Sequence, residues 1–201
     1  MKPLFGASTD KETPHVVGPK PGDVLAQPEQ DQNFFLPLLS IDLSVLDPTW
    51  IGKISFVYNE HNTEGGVSFR LDQDGKYVFL GESVLDEDDM ASRDRRKGFW
   101  QLVDAAVDSV SHQNISDVMA TLHAVEKRDG LESRSLAPKN FIGGAPCWTQ
   151  HDETPKDPDG DGMIFIGQIV AMDFSDEVGD KDLYLFYSPK HRLVTQIDQQ
   201  T

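Results

Sequence analysis

Short runs rich in β-branched and aromatic residues recur in two blocks of this chain, one early and one at its end. Such runs suit a pleated, half-buried surface, and they constrain the fold more than any other feature of the sequence. In the first block, Phe34-Phe35-Leu36-Pro37-Leu38-Leu39-Ser40-Ile41-Asp42-Leu43 is dense and apolar. Pro37 places its first half at an edge or a bulge, because proline cannot donate to a ladder. Ile54–Tyr58 follows. Val67-Ser68-Phe69-Arg70-Leu71 alternates strictly, and Asp74-Gly75 turns the chain into Tyr77–Leu80. These four runs predict an antiparallel meander. In the second block, Met163–Val170 and Leu183–Tyr187 read as strands, and Ser188-Pro189-Lys190-His191 turns into a third over Arg192–Ile197.

The flanks differ. Residues 1–32 hold five of the twelve prolines and few large apolar residues, which predicts an extended, Pro-rich arm lying over the domain. In the middle, Phe99, Leu102, Val103, Ala106, Val107 and Val110 form one helical stripe. Ile115, Val118, Met119, Leu122 and Val125 form another, with Asn114 as cap and Gly130 as stop, so a helix is expected over 115–127. The expected fold class is therefore α+β: antiparallel β-rich sheets with a helical hairpin in an insert over 92–130, all in one domain spanning 33–201. Residues 33–82 and 141–198 read as two repeated halves. Ile41-Asp42-Leu43-Ser44 matches Met172-Asp173-Phe174-Ser175 at an offset of 131, and the strands ending at Tyr58 and Tyr187 match at 129.

Charge narrows the function. There are 18 Lys+Arg against 34 Asp+Glu, a net charge of −16, and this sign opposes binding to nucleic acid or an anionic membrane. No apolar run approaches the roughly 20 residues that span a bilayer. The first ten residues lack the apolar core of a secretory signal, and Cys147 is the single cysteine, so a cytoplasmic protein without an internal disulfide is expected. Ten acidic residues lie between 152 and 182 against two lysines there, a net of −8. A field of one sign on a small surface speeds encounter with a basic partner.

Within that region, Asp157-Pro158-Asp159-Gly160-Asp161-Gly162 resembles the start of a calcium loop, making Asp157, Asp159 and Asp161 candidate metal ligands. The twelfth position is Gln168 in place of the bidentate Glu, and the ninth is Phe165, within a strand pattern. The same residues equally make a solvated acidic turn. Cys147 and His151 stand four apart, a spacing at which a thiol nucleophile and a base can meet. A lone cysteine beside Trp148 is more often a small core residue.

Ile142-Gly143-Gly144-Ala145-Pro146-Cys147-Trp148-Thr149-Gln150, then Gly162–Ile169, then Leu183–Tyr187 resemble the YwqG-like domain of unknown function. Leu38–Ser44 resembles that family's upstream Gln-Ile-Asp-Leu-Ser segment, with Ser40 at the glutamine position. The likeness covers roughly residues 34–60 and 141–198. It implies an α+β domain of β-rich repeats and no established enzyme activity. Many such proteins carry Cys-x-x-Cys-Gly in the variable loop, where this chain has Asp157–Gly162. The resemblance also implies candidate immunity proteins, because relatives occur beside secreted bacterial toxins.

The leading expectation is a non-enzymatic interaction protein. It would neutralise a cognate toxin, such as a nuclease of a type VI system, through an acidic surface. The candidate contacts are Trp148, Asp152, Glu153, Asp157, Asp159, Asp161, Asp176, Glu177 and Asp180. The alternative is a calcium- or small-ligand-binding protein that uses a groove between the repeats; otherwise no cofactor is expected.

Overall fold

The computed structural model describes residues 15–32, 34–59, 66–81, 122–124, 139–174 and 178–200. Among the described residues, ten strands form two sheets. The first sheet joins β1 (His15–Val17), β2 (Leu36–Asp42) and β3 (Lys53–Tyr58) in that order. The second contains β4 (Val67–Leu71), β5 (Tyr77–Phe79), β6 (Leu122–Ala124), β7 (Asn140–Ile142), β8 (Ile164–Val170), β9 (Lys181–Ser188) and β10 (Leu193–Gln200). Its order is β5-β4-β10-β9-β8-β7-β6, antiparallel throughout except for the β6–β7 pair. Among the described residues, helix is limited to α1 (Pro21–Val24), α2 (Pro28–Asp31) and two 3₁₀ turns, Leu43–Val45 and Ala171–Asp173.

The α+β expectation is thus corrected to a mostly antiparallel β fold. Leu122–Ala124 falls inside the helix expected over 115–127, yet it is a strand lying parallel to β7. The backbone edge of β7 offers three residues of pairing, which overrides the local helical pattern. The rest of the expected helical hairpin lies outside the described residues. The expected meander is also divided between sheets. β2 pairs with β3, β4 with β5, but β4 takes β10 as its second neighbour in place of β3. Pro37 sits at a bulge in β2, where the register shifts between Pro37 and Leu39.

The stretch 15–32 bridges both sheets. β1 extends the first sheet, while Ala26 N–H donates to Tyr77 O at 2.9 Å and Lys76 Nζ to Gly22 O at 2.7 Å. Val24 and Leu25 are buried beneath it.

Strand alternation sets up two layers of packing. On β9, Leu183, Leu185 and Tyr187 enter the main core with Leu39, Ile41, Phe56 and Phe69, so the two sheets share one interior. Tyr184 and Phe186 project to the opposite face and pack with Met163 and Ile197. Aromatic contacts cross between the sheets: the Phe35 ring lies 5.0 Å from that of Phe69, and Trp50 lies 5.8 Å from Tyr187.

β3 ends the first sheet, and side chains from the second sheet close its open edge. Tyr77 Oη accepts from Ser55 N–H at 2.6 Å and donates to Ser55 O at 2.8 Å. The Gln196 amide does the same for Val57, accepting from its N–H at 3.0 Å and donating to its carbonyl at 2.7 Å. Lys181 Nζ donates to Asn59 O at 2.6 Å. Residues 55, 57 and 59 are alternate positions, so three successive edge sites are met by side chains from β5, β10 and β9.

The element order strand, 3₁₀ turn, strand occurs twice. The members start at 36, 43 and 53 and again at 164, 171 and 181, each displaced by 128. Asp42 precedes its 3₁₀ turn and accepts from Ser44 N–H at 2.9 Å, whereas Asp173 ends its turn and accepts from Asn140 Nδ2 at 2.8 Å.

Two outcomes are expected. Gln196→Ala orphans a buried N–H and a buried C=O, and should cost about 3 kcal/mol in urea unfolding, at ~1–3 kcal/mol per unmet group; a loss below ~0.5 kcal/mol would refute the edge-closing role. Burial pushes His15 from 6.5 down to about 4. The folded chain therefore refuses a proton that the unfolded chain takes, and stability from this group is complete above pH 6.5 and declines as pH falls towards 4. His15→Phe should lose less stability than the parent between pH 7 and pH 4.5 in paired urea melts.

Candidate functional site

Residues 143–163 form a strap across the face of the second sheet that points away from the first. It begins at Gly143 and Gly144, both in the left-handed region (φ 75° and 78°), where a side chain would strain the turn. Strand side chains then hold its backbone. Gln168 Oε1 accepts from Cys147 N–H at 3.0 Å. Gln199 Oε1 accepts from Thr149 N–H at 3.0 Å and Gln150 N–H at 2.9 Å, and its Nε2 donates to His151 O and to Glu153. Tyr184 Oη donates to Cys147 O at 3.0 Å and accepts from Thr149 N–H at 2.9 Å. Thr149 Oγ1 donates to the Asp182 carboxylate. Burial pushes the Tyr184 phenol up to about 12, so it stays protonated and able to donate.

Trp148 stacks on Tyr184 at 4.5 Å and on Phe186 at 5.8 Å. Its ring face is spent on the sheet, so it supports the strap from beneath. Cys147 is half-buried, and the imidazole of His151 pairs with Glu153 at 3.0 Å.

The acidic stretch is a small hairpin. Lys156 and Gly162 bridge antiparallel, Met163 N–H donates to Pro155 O at 2.9 Å, and Asp157 N–H donates to Asp161 O at 2.8 Å. Asp157 organises the tip. Its Oδ1 accepts from the amides of Asp159 and Asp161 at 3.0 and 3.2 Å, and its Oδ2 accepts from Ser188 Oγ at 3.0 Å. Desolvation works to raise its pKa, but the bonds from Ser188 and the two amides win and lower it. Asp159 pairs with Lys190 and, at 2.9 Å, with His191, and these hydrogen bonds lower its pKa, Lys190 contributing most. Thr154 lowers that of Asp152 in the same way.

The donors that converge are Asp157, Asp159 and His191, whose ligand atoms lie within 4.8 Å of one another. Asp161, the third ligand expected from sequence, is not in this group. Two carboxylates and an imidazole form a mixed oxygen and nitrogen set, suited to a borderline cation more than to calcium. The Lys190 ammonium already neutralises Asp159 within it. Between the two sheets lies the shared core.

Of the expected contacts, Asp152, Asp159, Asp161 and Asp180 are exposed, Glu153 and Asp157 are half-buried, and Asp176 and Glu177 lie outside the described residues. Sequence reasoning missed Gln168, Tyr184, Gln199, Lys190 and His191. Gln168 carries a faint signal: it stands in an apolar strand, where a buried amide needs partners, whereas Gln199 lies among polar residues at the end of β10. Among the described residues, no helix is long and apolar enough to cross a membrane.

Asp157→Ala should lower the melting temperature measurably, whereas Asp159→Ala, which removes surface contacts to Lys190 and His191, should lower it much less. Gln199→Ala should release the strap and raise the rate at which iodoacetamide alkylates Cys147. An unchanged rate would mean that the strap is held without Gln199. No protein-family model, curated protein or solved structure matches the chain.

Proposed function

We propose that this chain is an interaction protein that neutralises a cognate protein toxin by occlusion, its acidic strap meeting a basic surface on the partner. One observation carries the reading. The exposed carboxylate of Asp152 stands on a backbone pinned to a seven-stranded sheet by Gln199, Gln168 and Tyr184, and that of Asp161 on a hairpin that Asp157 ties to Ser188 of the same sheet. A partner meeting them orders little on binding, which favours affinity, and the negative field raises the association rate.

The hairpin tip presents less charge than its sequence suggests. Asp157 serves the turn, Asp159 is paired, and Asp152 takes both bonds from Thr154 on Oδ1, which leaves Asp161 and the other oxygen of Asp152 as the carboxylate groups most available to a partner. The resemblance to the YwqG-like domain, some of whose relatives occur beside secreted toxins, supports the immunity reading.

Co-expression with the product of the adjacent gene should restore growth and give a complex on co-purification. In that complex, Asp152→Lys with Asp161→Lys should slow association about tenfold at low salt, and the difference should shrink as salt screens the field. Neither rescue nor complex would dismiss the immunity reading. A complex whose on-rate ignores both salt and these substitutions would dismiss the acidic strap as its interface.

A further inference from the structure

The groups that close the open edge of β3 include a titratable pair that the strap does not use. Asp198 on β10 and Lys181 on β9 keep only 8% and 5% of their side chains exposed. Lys181 Nζ stands 3.6 Å from Asp198 Oδ2, close enough for an ion pair and too far for a hydrogen bond. The ammonium donates instead to Asn59 O and lies 5.4 Å from the centre of the Tyr58 ring. Asp198 Oδ1 accepts from Gln196 Nε2 at 2.9 Å, and Oδ2 is buried with no hydrogen-bond donor. The carboxylate is thus buried, half satisfied, and linked through one glutamine amide to the backbone of Val57 in the other sheet. The titratable groups facing it are Lys181 from β9 and, beyond the ammonium, the Tyr58 phenol from β3, which accepts from Gly179 N–H at 3.0 Å.

We propose that this clasp is a proton-controlled joint between the two sheets, firmer when Asp198 is neutral and opening more readily when it is ionised. A buried carboxylate short of a donor is costly to hold charged, and opening the joint returns it to water. Gln196 is the shared element: its Nε2 serves both Asp198 and Val57 O, so the state of the carboxylate reaches the edge of β3 through one side chain. Burial pushes Asp198 up to about 6, with Lys181 and Gln196 pulling the other way. The folded state therefore holds a proton that the opened state releases. Stabilisation from this group is complete below pH 3.8 and is lost as pH rises through about 6. The ratio of open to closed joint should rise by at most roughly a hundredfold over that range, the factor carried by a shift of about two pH units.

Amide exchange on the full chain tests this by NMR between pH 4.5 and 7.5, each rate corrected for intrinsic exchange. The Val57 N–H reports the clasp. The Ser55 N–H, held by Tyr77 on the same edge, is the reference. The ¹³C shift of the Asp198 carboxyl is followed in the same samples. The opening constant at Val57 should rise at least tenfold with the midpoint of the carboxyl titration, while that at Ser55 stays within about threefold. Asp198→Asn should make the Val57 constant level. Parallel change at Val57 and Ser55, a level Val57 constant while the carboxyl titrates, or a carboxyl that does not titrate in this range would each overturn the proposal. If Asp198→Asn does not fold, the comparison of Val57 with Ser55 in the parent chain decides alone.

Discussion

The architecture depends on how the open edge of β3 is closed. A three-stranded sheet buried against a larger one leaves a row of backbone donors and acceptors that neither water nor a fourth strand reaches. Each buried group left unmet costs ~1–3 kcal/mol, so several would consume much of a domain's net stability. Here a phenol, a carboxamide and an ammonium substitute for the missing strand at Ser55, Val57 and Asn59. Because these side chains come from β5, β10 and β9, the two sheets hold one geometry relative to each other. Hydrophobic packing supplies most of the driving force but little direction. The edge-closing bonds supply direction.

The same solution recurs on the other face. Gln199 and Gln168 meet the backbone of an irregular segment just as Gln196 meets that of a strand. Alternation on β10 makes both possible, since Gln196 and Gln199 point to opposite faces of one strand. A carboxamide offers a donor and an acceptor side by side, the pair that a peptide group presents, without carrying charge into a buried site. The strap can therefore be irregular and still fixed. That is the combination a recognition surface needs, because loops carry chemical variety and scaffolds carry precision.

Much of the strand content was legible because period-two alternation and β-branched runs leave a strong trace. Val67–Leu71 reads as a half-buried strand from its sequence and forms one, with Ser68 and Arg70 more exposed than their apolar neighbours. What the sequence did not show was pairing. β3 is the strand that precedes β4 in the sequence, yet β4 takes β10, more than a hundred residues away, as its neighbour. No local pattern encodes that choice. Leu122–Ala124 was misread because three residues of strand inside an apolar stripe carry no helical or extended signature of their own. The candidate site was legible in composition and not in role. Acidic residues crowd 152–161, but only coordinates distinguish Asp157, whose oxygens hold the turn together, from Asp161, whose carboxylate stands free of that work.

That division of labour changes what an acidic loop means. A run of aspartates suggests either a cation site or a charged surface, and both readings assume that the carboxylates are available. In the hairpin at 155–163, folding has already claimed two of the three. Asp157 is bound by two amides and a hydroxyl, and Asp159 is paired with Lys190 and contacts His191, both from the turn between β9 and β10. A cation entering there would have to displace a lysine and unmake a turn. A partner surface would have to displace neither, because Asp161 is exposed and Asp152, exposed as well, keeps one oxygen clear of its bonds from Thr154. Recognition through the carboxylates that folding leaves over is therefore the less costly use of this segment.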